Sequence, residues 1–81
     1  MDTPRLSNVS LADYRLFLKK AGCTPCSIKG GHEKWTKRGL LRPIIVQTHV
    51  DPVPEFIIKN ALRTLGLTKA DFFHILLTTN K

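Results

Sequence analysis

The chain has 81 residues, enough for one domain and no more, and a domain of this size buries only roughly 60% of the surface its unfolded chain exposes. Hydrophobic residues make up 42% and charged residues 23% of it, a globular balance that argues against disorder, and no apolar run approaches the roughly 20 residues a membrane helix needs. Lys and Arg number 13 against 6 acids, a net charge of +7 that suits RNA, DNA or an acidic protein as partner, and equally a solvated basic surface with none.

The opening residues, Met1-Asp2-Thr3-Pro4-Arg5, hold no cationic segment leading into an apolar stretch, so no secretory signal is expected. Residues 1–9 read as a loose, polar leader. A helix then starts on strong signals. Ser10 can cap it, Asp13 follows three residues later, and Val9 and Tyr14 can staple its entry. Leu11, Tyr14, Leu18 and Ala21 share a face with Phe17 beside them, leaving Arg15, Lys19 and Lys20 to face out. Gly22 ends this helix, placed at 11–21.

Three short strands follow. Residues 24–29 form the first, with Pro25 marking an edge or a strand start because it cannot donate to a ladder. Gly30-Gly31 is a turn or a bulge, and residues 32–37 form the second strand. Lys37-Arg38-Gly39 signals a second tight turn. Residues 41–49 hold the most β-like run, Ile44-Ile45-Val46, and form the third strand, whose two faces the uneven alternation leaves unassigned. Asp51-Pro52-Val53-Pro54 connects to a helix with the apolar stripe Ile57, Ile58, Ala61, Leu62 and Leu65, stopped by Gly66. Thr68 caps a last helix at 69–77, with Asp71 at the capping-box position and Leu67 stapled on Phe72. Residues 78–81 are expected to fray.

The order α-β-β-β-α-α, with tight turns between the strands, predicts an α+β fold in one domain. Its three-stranded sheet is antiparallel, with helices on one face and the other face open. An open sheet face with basic strands can serve nucleic acid.

The densest chemistry lies at Lys29-Gly30-Gly31-His32-Glu33-Lys34-Trp35-Thr36-Lys37-Arg38. Lys29, Lys34, Lys37 and Arg38 can contact phosphates and release counterions. Gly30 and Gly31 let backbone N–H groups approach an anion closely. Trp35 could stack on a base for about 1–3 kcal/mol, or belong to the core. His32 is the residue able to do chemistry: RNA cleavage needs a base for the 2′-OH and an acid for the leaving 5′-oxygen, and an imidazole titrates in the range for either. Nearby lysines would stabilise charge developing on the scissile phosphate. Pairing through the 37–40 turn brings His49 to the region of His32, as a second acid/base group, a substrate contact or a cap on the connector. Glu33 points to the opposite face from His32 and reads as structural. His74 sits among apolar residues of the last helix and reads as packed or interfacial. Cys23 and Cys26 make a C-x-x-C that follows a helix. Its spacing to His32 and His49 fits no common zinc finger, so structural cysteines are favoured over a zinc or redox pair.

Four stretches together resemble the HicA-like toxins: Lys19-Lys20-Ala21-Gly22-Cys23, Ile28-Lys29-Gly30-Gly31-His32, Ile45-Val46-Gln47-Thr48-His49, and Asn60-Ala61-Leu62-Arg63-Thr64-Leu65-Gly66-Leu67-Thr68. Members of that family show a K/R-G-S-H stretch, a strand ending in V-P-x-H and a helix reading roughly G-T-L-R-x-I-L-x-x-x-G-L. The resemblance spans about residues 11–75. It implies a fold like a double-stranded-RNA-binding domain with an extra C-terminal helix. It also implies cytoplasmic, metal-independent and cofactor-free cleavage of mRNA by His32, and a HicB-like antitoxin protein as partner. The chain departs from the pattern at Gly31, where the family has serine, at Gln47, where it has proline, and in continuing into the helix at 69–77. Two other functions fit the same residues: a non-catalytic RNA-binding module, which needs the basic hairpin but no histidine, and a protein-interaction domain.

Overall fold

The computed structural model describes residues 6–78. The elements are α1 (Leu11–Lys20), β1 (Thr24–Lys29), β2 (His32–Thr36), β3 (Ile44–Gln47), α2 (Glu55–Leu65) and α3 (Lys69–Leu77). The strands form one antiparallel sheet in the order β1-β2-β3, so the fold is α+β and both β1 and β3 are edges. No helix among the described residues is long and apolar enough to cross a membrane.

Side-chain caps and a glycine set several of the helix ends, all but one of them locally. The Ser10 hydroxyl accepts from the Asp13 N–H at 3.0 Å, and Asp51, forty residues away in sequence, accepts from the Leu11 N–H at 3.0 Å. That second cap fastens the 51–54 connector to the start of α1. Gly66 sits at φ 73°, which a glycine adopts without a Cβ clash, and the Leu67 N–H turns back to the Leu62 carbonyl at 2.9 Å. At α3 the capping box between Thr68 and Asp71 is complete in both directions.

The core gathers Tyr14, Phe17 and Leu18 of α1, Trp35, Ile44 and Val46 of the sheet, Ile58, Ala61 and Leu62 of α2, and Phe72 of α3. Alternation along β3 is resolved: Ile44 and Val46 point to the helices while Ile45 and Gln47 point away. The helix at 69–77 belongs to the core. Phe72 is fully buried, and its ring lies 4.6 Å from that of Phe17.

Several expectations need correction. The leader is not loose from residue 6 onward: Leu6 is fully buried, and Val9 bridges Val53, whose N–H donates to the Val9 carbonyl at 2.8 Å. Residues 1–5 and 79–81 lie outside the described residues. Thr78 is held rather than frayed, since Lys20 Nζ donates to the Thr78 carbonyl at 2.7 Å and the Leu76 carbonyl at 3.0 Å. Lys20 and Arg15 therefore have partners across the fold instead of simply facing water. The third strand is shorter than 41–49. Pro43 has no N–H for a ladder, and the Thr48 N–H closes on Gly31 as the chain turns out of the strand. His74 is not packed but exposed, because Phe72 and not its own face of α3 meets the core.

Candidate nucleic-acid interface

The β1–β2 hairpin is built on Gly30-Gly31. Both residues have positive φ, 57° and 84°, the pattern of a type I′ turn whose twist matches that of the flanking strands. Lys29 therefore stands directly opposite His32. A double clamp holds the turn: the Thr48 N–H and Oγ1–H both donate to the Gly31 carbonyl, at 2.8 and 3.1 Å.

Directly opposed residues of adjacent strands share a face of the sheet. One cross-strand row on the face away from the helices is thus Lys29, His32 and Gln47, and the next is Ser27, Lys34 and Ile45. All six are exposed. His49 lies just past β3 with its imidazole over Gly31: a Cβ on Gly31 would come within 3.4 Å of His49 Nδ1. The structure therefore brings Lys29, Gly30, Gly31, His32, Lys34 and His49 to one end of the sheet. Gln47 and Thr48 join them. Neither was expected to line the site, although the register through the 37–40 turn places Gln47 opposite His32.

The other face of β2 fixes this geometry. Glu33 is 8% exposed and points toward α1. Its carboxylate accepts from Arg15 Nε at 3.2 Å and Arg15 Nη2 at 2.7 Å, and from Trp35 Nε1 at 2.9 Å. A bidentate guanidinium and an indole N–H thus satisfy a buried carboxylate and bolt β2 to α1. Glu33 is structural, as expected.

Trp35 is correspondingly not a base-stacking platform. It is 4% exposed, belongs to the core, and its indole N–H is engaged by Glu33. Lys37 and Arg38 do not join the cluster around His32 either. At a strand rise of roughly 3.3 Å per residue they sit about 16–20 Å along the hairpin from it. Lys37 folds its side chain over Gly22, with Cε 3.3 Å from where a Cβ would stand.

The two cysteines occupy different environments. Cys23 is buried in the core, where burial pushes its thiol up and the Lys37 charge pulls it back by less. Cys26 is exposed at the irregularity between Pro25 and Ser27 of β1. Among the described residues no three His, Cys, Asp or Glu side chains group closely enough to hold a metal ion.

Fold and site together define an α+β domain with a basic sheet face, open among the described residues, that presents an exposed histidine after a glycine turn. Comparison of the chain with protein families, with curated proteins and with solved structures returned no match.

Proposed function

We propose that the chain is a HicA-like endoribonuclease toxin that cleaves mRNA in the cytoplasm, with His32 as its acid/base residue. The observation that carries this reading is the exposed His32 imidazole between Lys29 and Lys34, on a sheet face that no helix among the described residues covers. RNA cleavage at such a site needs no covalent step with the protein. A base takes the 2′-OH proton, the 2′-oxygen attacks phosphorus, and the bond to the 5′-oxygen breaks as an acid protonates that oxygen. The products are a 2′,3′-cyclic phosphate and a 5′-hydroxyl. His32 performs one of the two proton transfers. Lys29 and Lys34 offset the charge building on the phosphate oxygens. His49, packed over Gly31, is the second imidazole in the same corner. A HicB-like antitoxin would silence the toxin by covering this face.

The test uses the purified chain and a His32→Ala variant on a single-stranded RNA, with and without EDTA. The parent should cut in both conditions, and the variant should stay folded, bind RNA and leave it intact. Cleavage by the variant at the parental rate would refute the assignment of His32.

One observation favours a second reading, a non-catalytic RNA-binding module. The basic residues continue to Lys37 and Arg38 at the far end of the hairpin, which a bound strand can use and cleavage at His32 does not need. RNA affinity falling linearly with salt on a log–log plot, with no strand breakage, would support it.

A further inference from the structure

A second surface lies on the other side of β3. Because β3 is an edge, the outward backbone groups of its residues have no sheet partner among the described residues. Thr48 donates inward to Gly31, so alternation turns the N–H and C=O of Ile45 and the N–H of Gln47 outward. Beside this edge runs a groove floored by Tyr14, with Ile45 on the strand side and Phe56 and Ile57 on the α2 side. Phe56 is 64% exposed and Ile45 43%, large apolar side chains left open among the described residues. At Thr64 the groove adjoins a second hollow lined by Arg42 and Arg63. Both are exposed, and neither has an ion-pair partner among the described residues.

We infer that this groove binds an extended segment of another protein, paired antiparallel to β3, with apolar side chains at alternate positions and a carboxylate at its C-terminal end. Each requirement follows from one feature. The free edge supplies main-chain hydrogen bonds. The period of two puts every second side chain of the added strand against Tyr14, Phe56 and Ile57. The antiparallel direction brings the end of the segment to the start of β3, where two guanidinium groups favour a carboxylate. RNA fits less well, because the groove is apolar over most of its length and an edge strand offers a phosphate backbone no ladder. The groove borders the face that carries His32 along β3, where Ile45 and Gln47 belong to both, but Phe56, Arg42 and Arg63 are not in the rows around His32, so the inference does not rest on the nuclease reading.

The test is selection of a displayed library of random peptides, each about twelve residues long, on the full chain at physiological salt. The winners are then titrated by fluorescence anisotropy. Enriched peptides should alternate apolar and other residues and end in Asp or Glu. Their affinity should fall roughly tenfold or more in the Arg42→Glu/Arg63→Glu double variant and in Phe56→Ser. Ile45→Pro, which removes one outward N–H at a position where an edge strand tolerates proline, should weaken them similarly. Circular dichroism checks that each variant is folded, and Phe56→Ser should bind RNA as the parent does. Three results would overturn the inference. One is no enrichment, or binding indifferent to all three variants. Another is displacement of the peptides by a single-stranded RNA that itself needs Phe56. The third is a dimer of the chain that dissociates in Phe56→Ser, which would make a second copy the occupant.

Discussion

The bridge from Arg15 and Trp35 to Glu33 fixes the strand that carries His32, and its strength can be worked out. The Glu33 side chain is 10% exposed and that of Arg15 37%, so the pair is half in water at one end only. Removing one member of a fully buried pair costs about 3–5 kcal/mol, because the other charge is left without a partner. Arg15 can recover part of its hydration, which reduces the loss. Glu33→Gln removes the charge but keeps an oxygen for the Trp35 N–H, and should cost about 2 kcal/mol. Glu33→Ala also leaves that buried N–H unsatisfied and should cost about 1–2 kcal/mol more. Urea unfolding followed by the fluorescence of Trp35 reads both variants, with the midpoint falling and the m-value unchanged. For a domain of this size each kcal/mol lowers Tm by about 4–8 °C. If Glu33→Gln unfolds within about 0.5 kcal/mol of the parent, the pair behaves as a solvated surface bridge, and the idea that it anchors β2 fails.

Three further outcomes follow from other contacts. Burial, and after it the nearby Cys23 charge, raises the Tyr14 phenol well above its ordinary 10.0, and burial raises the Cys23 thiol above 9.0. Protons that the unfolded chain releases are thus held by the native one, so stability is fully present below about pH 9 and falls as pH rises beyond it. Tyr14→Phe should flatten that alkaline decline in urea titrations. It should cost nothing at neutral pH, because the Tyr14 hydroxyl is buried without a partner among the described residues; a loss above about 1 kcal/mol would show that the hydroxyl is in fact bonded. Gly31→Ala must hold φ 84° and set a Cβ against His49, and should cost about 1–2 kcal/mol and shift the His49 imidazole resonances by NMR. Lys20→Met releases the carbonyls of Leu76 and Thr78 and should speed amide exchange at the end of α3 while lowering global stability by less than about 1 kcal/mol.

The elements were legible because their causes are local. Ser10, Gly22, Gly66 and the Thr68–Asp71 box mark helix ends by capping chemistry, and Gly30-Gly31 specifies a tight turn by backbone sterics alone. Register follows from that turn and from the one at 37–40, which is why the meeting of His49 with the His32 corner could be expected. Residue types and their order thus determined three helices, three antiparallel strands, an open basic face and an exposed histidine on it. What each side chain does was decided only when the layers packed. Periodicity assigned Arg15 and Lys20 to solvent because it sees one helix at a time; their partners are Glu33 on β2 and the carbonyls at the end of α3. Trp35 went to the core because its indole N–H finds Glu33 there, and Lys37 and Arg38 were separated from His32 by the length of a strand. Asp51 caps α1 from forty residues away, and the Arg42–Arg63 hollow beside the groove joins a loop to a helix. Such long-range pairs depend on how α1, the sheet and α2 are set against one another, and no short stretch of sequence contains that information.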